Sequence, residues 1–247
     1  MAGPAILIEA CINGGRRRDE HAAVPLTAAE LAREASAAVA VGAAALHFHP
    51  RDGAGVETLE PDACAEAIEA VRAACPGVPL GLSTGIWIAG GAERERLVSA
   101  WHVLPDFVSV NFIEEGAAEL CRLLLARGVQ IEAGLTSLAD VEVMRLSGMA
   151  REMCRFLVEV EPEDPEEAAA VAASVGDALE GMGSARQLHH GCGQATWRVI
   201  EAAIARGRDV RAGLEDSLFL PDGTAARDNA ALVSAAVELA RRAGRAV

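Results

Sequence analysis

Residues 44–53 read Ala-Ala-Leu-His-Phe-His-Pro-Arg-Asp-Gly. A short apolar run carries histidines at alternate positions and stops at a proline, which ends a strand. Side chains alternate across a strand, so Leu46 and Phe48 are expected on one face and His47 and His49 on the other. A barrel strand meets that requirement: one face packs against helices and the other turns into the barrel.

Working outward, the same alternation of short apolar runs with longer segments of helical period fills the chain. Strands are expected over 5–12, 44–49, 78–83, 107–112, 129–135, 154–160, 187–190 and 210–214, which makes eight. Helices are expected over 27–41, 61–75, 93–103, 116–126, 138–149, 165–180, 194–206 and 226–243. Thr27 and Glu30 have the spacing of a capping box, and Pro61 and Pro165 stand where a first helical turn tolerates proline. No proline-rich or serine-rich linker interrupts the series, and 247 residues is near the roughly 250 typical of an eight-fold β/α barrel. The expected architecture is therefore α/β, a single (β/α)8 TIM barrel forming one domain over 1–247.

Strand parity also predicts what faces inward. It places Glu9, Cys11 and Asn13 there from the first strand, Gly81 and Ser83 from the third, and Ser109 and Asn111 from the fourth. Gln130 and Glu132 follow from the fifth, and Arg211, Gly213 and Glu215 from the eighth. So much inward polarity is unlike a purely structural core.

Composition narrows the chemistry. The chain has no lysine and no tyrosine, so all 22 basic residues are arginine. Schiff-base aldolases and pyridoxal-phosphate enzymes need a lysine amine, and both are excluded. A net charge of -14 disfavours nucleic-acid binding, which needs clustered positive charge. Six scattered cysteines without a C-x-x-C pair suggest neither a zinc knuckle nor a disulfide framework. No apolar stretch of about 18 residues and no secretory signal pattern is found. A soluble cytoplasmic protein acting on small molecules is expected, with neither nucleic acid nor membrane as partner.

His47 and His49 share a strand face and can meet one metal ion; the plainer reading is two buried, hydrogen-bonded polar residues. Their place at the C-terminal end of a strand, where active sites of this fold lie, favours the metal. Glu215 follows the eighth strand, which closure sets beside the first, and can complete the ligand set or simply pair with Arg211. Ser83 ends the third strand, next to the His-x-His strand, as a catalytic group or an ordinary loop hydrogen-bonder. Arg211 needs an anionic partner, Glu215, Asp216 or a substrate carboxylate. Asp216 begins the loop over the mouth, as a general base or a turn cap. Glu132, Glu159, His189 and His190 line the pocket or make ordinary hydrogen bonds. Arg16, Arg17 and Arg18 bind an anionic group or form a solvated loop.

Taken in order, these residues resemble the β-keto acid cleavage enzyme family, whose founding activity is cleavage of 3-keto-5-aminohexanoate. The matching elements are Asn13-Gly14-Gly15, His47-Phe48-His49-Pro50-Arg51-Asp52-Gly53, Leu82-Ser83-Thr84-Gly85, Ser109-Val110-Asn111-Phe112 and Val210-Arg211-Ala212-Gly213-Leu214-Glu215-Asp216. The resemblance implies a zinc-dependent reaction converting a β-keto acid and acetyl-CoA into acetoacetate and a new acyl-CoA. It implies His47, His49 and Glu215 as zinc ligands, one Zn2+ per chain, with Ser83, Arg211 and Asp216 driving proton transfer. Asn13, Arg16, Asn111 and Glu132 are expected to bind substrate, and a homo-oligomer is implied. Where aminohexanoate-cleaving members carry a glutamate suited to a substrate ammonium, this chain has Arg16, which points to a neutral or anionic distal group. The rival readings are a metal-dependent hydrolase on a TIM barrel and a non-catalytic zinc-binding paralogue.

Overall fold

The computed structural model describes residues 5–247. Eight strands, β1 (Ile8–Cys11), β2 (Ala45–Phe48), β3 (Leu80–Ser83), β4 (Phe107–Asn111), β5 (Gln130–Leu135), β6 (Arg155–Val160), β7 (Arg186–Gly191) and β8 (Asp209–Ala212), form a closed barrel in sequence order. Every neighbouring pair is parallel, and β1 closes on β8 through Ile8 opposite Val210 and Glu9 opposite Arg211. The helices are α1 (Ala28–Ala40), α2 (Pro61–Ala74), α3 (Ile86–Ala89), α4 (Gly91–Ser99), α5 (Ala117–Leu125), α6 (Leu138–Ser147), α7 (Pro165–Ala178), α8 (Thr196–Ala205) and α9 (Asn229–Arg242). This is the expected (β/α)8 barrel. No helix among the described residues is long and apolar enough to cross a membrane.

Local sequence accounts for the starts. Thr27 accepts from the Glu30 amide while the Glu30 carboxylate accepts from the Thr27 amide, the reciprocal cap predicted from spacing. Pro61 and Pro165 occupy the first turns of α2 and α7, and Asp228 caps α9 by accepting from Ala231. The expected helix over 93–103 is α4, which starts two residues earlier and ends at Ser99; the short α3 precedes it, separated by Gly90 at φ 68°.

The outward faces of the strands make the main core. Leu46 and Phe48 of β2, Leu80 and Leu82 of β3 and Val108 and Val110 of β4 pack with helix residues such as Leu31, Ile68, Val71, Leu97 and Leu120. Each large aliphatic side chain so buried stabilises the fold by roughly 1.5–3 kcal/mol. The interior is different. The Phe107 ring occupies the space over Gly81, where a Cβ would lie 2.0 Å from it, and the Arg155 guanidinium stands 4.6 Å from the ring centroid. Arg155 pairs with Glu132 and lies 3.5 Å from Glu9, so an ionic layer fills the barrel and the mouth is left for chemistry.

Candidate metal centre and active site

The penultimate residue of β2, His47, and the residue just beyond the strand, His49, bracket the site. His47 and His49 point the same way, as strand parity requires, and their Nε2 atoms are 3.2 Å apart. Glu215 faces both, with Oε2 3.9 Å from His47 Nε2 and Oε1 3.6 Å from His49 Nε2. A tetrahedral ion with bonds of about 2.0–2.1 Å has ligand edges of roughly 3.3–3.4 Å; the histidine pair matches that spacing, and the Glu215 carboxylate stands a few tenths of an ångström farther out, within reach of a small side-chain adjustment. Both imidazoles are buried, and two nitrogens with one carboxylate oxygen are a donor set suited to that ion.

Glu215 arrives by a turn. β8 ends at Ala212, and the chain then presses so closely on β1 that a Cβ on Gly213 would lie 1.9 Å from the Cys11 carbonyl oxygen. On the other side the Glu215 side chain rests on Gly14, whose φ of 50° and missing Cβ leave room for it. Two glycines bring the β8 turn and the β1 loop onto the carboxylate.

Beside the donors, Arg211 makes a two-pronged contact with Asp216, Nε to Oδ2 at 3.2 Å and Nη2 to Oδ1 at 2.7 Å. The same Nη2 donates to Glu215 Oε1 at 2.6 Å. Burial opposes ionisation of Asp216, but Arg211 and His190 hold its carboxyl down at about 2. Glu215 is held well below the usual carboxylate range against burial, chiefly by Arg211 and the two histidines. Burial pushes His47 down to about 3, whereas for His49 burial is outweighed by Glu215 and Glu57, which raise it to about 9. Ser83 is buried next to β2, and its Oγ accepts from the Gly85 amide at 3.3 Å.

The remaining predicted residues separate. Asn13 is committed to backbone: its amide donates to Pro25 and His49 carbonyls and accepts from the His49 amide. Asn111, half-buried, lies over Gly134, and its Nδ2 is 3.4 Å from Glu114. Glu132 belongs to the ionic layer with Arg155, and Arg16 pairs with Glu20 at 2.9 Å. His189 faces outward to Gln187 and the α7 glycine Gly176. His190 faces inward, Nδ1 3.3 Å from Asp216 and Nε2 3.6 Å from Glu159.

Strand parity does not reach three further contributors, although Arg51 stands within the His47–Gly53 stretch. The Glu57 carboxylate meets His49 Nδ1 at 2.5 Å and accepts from the Trp87 indole at 3.4 Å. Arg51 donates to the Gly14 and Arg16 carbonyls, bracing the β1 loop from the strand that carries the histidines. Buried Arg94 of α4 donates to Thr84 and Glu115 carbonyls and pairs with Glu114, joining the loops after β3 and β4. Only the glycines at 53 and 55, which punctuate a turn after His49, hint at a return of the chain toward the site.

A closed β/α barrel with convergent ionisable groups at the C-terminal mouth defines a barrel enzyme. The chain belongs to the β-keto acid cleavage enzyme family, whose model matches residues 5–247. It is 28% identical to a 3-keto-5-aminohexanoate cleavage enzyme of Fusobacterium nucleatum, over 98% of this chain and 93% of that protein. It is also 28% identical to a 3-oxoadipate:acetyl-CoA acetyltransferase of Cupriavidus necator, over 100% of this chain and 92% of that one. Among solved structures, ObcA in a ternary complex with C4-CoA adduct and oxalate superposes with TM-score 0.74 at 18% identity, over 90% of this chain and 65% of ObcA. A type I 3-dehydroquinate dehydratase from Clostridium difficile superposes with TM-score 0.65 at 11% identity, over 98% of this chain and 95% of that one. These two likenesses speak for the barrel alone.

Proposed function

We propose that this protein is a zinc-dependent β-keto acid cleavage enzyme that converts a β-keto acid and acetyl-CoA into acetoacetate and a new acyl-CoA. The observation that carries the reading is the convergence of His47, His49 and Glu215 beside the Arg211–Asp216 pair. Zinc held by those three residues would act as a Lewis acid on the keto oxygen, the task an imine performs in lysine enzymes. Every other step falls to the chain's own groups.

Joining the acetyl group of acetyl-CoA to the carbon between keto group and carboxylate of a β-keto acid breaks the thioester and releases CoA thiolate. The thiolate then takes the original acyl group as that group's bond to the same carbon breaks and acetoacetate leaves. The first bond requires removal of a proton from that carbon. Asp216 would accept it at a carboxylate oxygen. Arg211 fixes both oxygens of that base and keeps it ionised at neutral pH, so the base is present before substrate arrives. Because Arg211 also holds Glu215, one guanidinium sets the base at a fixed place relative to the donor cluster. Ser83, the residue after Leu82, which stands opposite Phe48 in the β2–β3 register, would donate its hydroxyl to a substrate oxygen.

Arg16 would choose the distal group. Its guanidinium is paired with Glu20, so an anionic distal group would compete with that carboxylate. The test is incubation of zinc-loaded protein with acetyl-CoA and a panel of β-keto acids, with the products identified. Acetoacetate and the matching acyl-CoA are expected. Free CoA without acetoacetate would point to hydrolysis instead, and no turnover of any panel member would sink the reading.

A further inference from the structure

The two imidazoles of the donor cluster are supported differently. His47 Nδ1 is buried without a hydrogen-bond partner, while His49 Nδ1 is held by Glu57 at 2.5 Å. A histidine whose one nitrogen donates to a carboxylate presents the other as a bare lone pair, in a fixed ring orientation. Glu57 therefore does for His49 what nothing in the described structure does for His47.

Glu57 is itself over-determined. The chain leaves β2 through Pro50 and doubles back in a hairpin: Asp52 donates to the Val56 carbonyl at 2.8 Å, Thr58 to that of Pro50 at 3.0 Å, and Arg51 and Glu57 form an antiparallel bridge. The Asp52 carboxylate caps the turn by accepting from Ala54 and Val56 amides. On the returning segment, Glu57 Oε1 takes the His49 ring and the indole of Trp87 in α3, which follows β3. Gly15 of the β1 loop packs against its other oxygen, where a Cβ would lie 3.3 Å away. Segments following three successive strands thus close on one carboxylate.

We propose that Glu57 is the positioning residue of the zinc centre, fixing the tautomer and ring plane of His49 so that Nε2 faces His47 and Glu215. It acts through His49, touching neither substrate nor ion. The proposal rests on the metal reading above, and the test separates the two. Zinc binding to wild-type protein, Glu57→Gln, Glu57→Ala and His47→Ala is measured by competition with a chromophoric chelator. Cobalt absorption spectra report the symmetry of the donor set, and the thermal midpoint of each metal-free chain reports folding. The expected result is one zinc per wild-type chain, affinity lower by about 10–100-fold in Glu57→Ala and by less in Glu57→Gln, whose amide oxygen still accepts from Nδ1. The Glu57→Ala cobalt spectrum should change while its metal-free midpoint stays near that of wild type. Glu57→Ala binding zinc as tightly as wild type, with an unchanged cobalt spectrum, would overturn the positioning role. Wild-type protein that binds no more zinc than His47→Ala would overturn the metal centre itself. Should Glu57→Ala fail to fold, unchanged affinity and spectrum in Glu57→Gln and in a Glu57→Leu variant overturn the role equally.

Discussion

The Cα of Gly213 lies against the carbonyl of Cys11 so closely that a Cβ would stand 1.9 Å from its oxygen. This contact is backbone on backbone across the seam where the barrel closes, and neither side can swing away as a flexible side chain would. Gly213→Ala should therefore displace the turn and carry the Glu215 carboxylate off its present position. Overpacking of this kind costs about 1–3 kcal/mol. Denaturant unfolding together with bound-zinc analysis checks it; a variant equal to wild type in both would show that the turn can relax.

Metal loading should be visible as stability. A ligand that binds only the folded chain raises its unfolding midpoint, by an amount that grows with the logarithm of its free concentration over its dissociation constant. Zinc added to chelator-treated wild-type protein is expected to raise the thermal midpoint, and the same addition to His47→Ala is expected to do nothing. Equal shifts in both proteins would place the ion elsewhere.

Asp216→Asn keeps the shape of the side chain and removes the base. A general base typically contributes about 100–10,000-fold. The expected outcome is a fall of that size in kcat with zinc content unchanged. Arg211→Lys keeps a positive charge but cannot reproduce the two-pronged contact, so it should also lower kcat, by a smaller factor. Steady-state kinetics with metal analysis on the same samples distinguishes loss of chemistry from loss of metal.

Arg16 and Glu20 make an opposed pair for substrate choice. Glu20→Gln frees the Arg16 guanidinium and should lower KM for a dicarboxylic β-keto acid while leaving a neutral one unaffected. Arg16→Glu should have the reverse preference, favouring a cationic substrate. Identical selectivity in all three proteins would remove Arg16 from the site.

His189 links stability to pH. Burial pushes its ring down to about 3 from an ordinary 6.5, so the folded chain keeps it neutral while the unfolded chain binds a proton below about 6.5. The unfolded state takes up the extra proton throughout that window, so this contribution is complete above pH 6.5 and is lost as pH falls toward 3. His189→Gln should flatten that part of the stability profile, measured as denaturation midpoint against pH from 7 down to 4. An unchanged slope would mean that other groups set it.

The eight strands were legible because apolar runs, histidine alternation and helix starts such as Thr27 with Glu30 all agree locally with the barrel. The site was legible only where parity reaches it. His47 and His49 follow directly from β2, but inward parity carried on to Glu215 runs past the end of β8 at Ala212. It is delivered by Gly213 and Gly14, a close approach that no periodicity expresses. His189 and His190 are neighbours on opposite faces, and only the register against β6 and the packing on α7 tells which one meets Asp216. Glu132 was expected at the pocket; its placement beside Arg155 depends on a long-range pair that sequence spacing does not encode. Glu57 depends on a hairpin whose return could be suspected from glycines but whose target could not.

Trp87 gives the molecule a property of practical use. The chain lacks tyrosine, so its near-ultraviolet emission comes from three tryptophans alone. Trp101 is buried and Trp197 is half-buried, whereas Trp87 is 58% exposed at the mouth with its indole on the carboxylate that holds His49. The protein therefore carries its own fluorophore one residue away from its donor cluster, and occupancy can be followed by emission colour without attaching a dye.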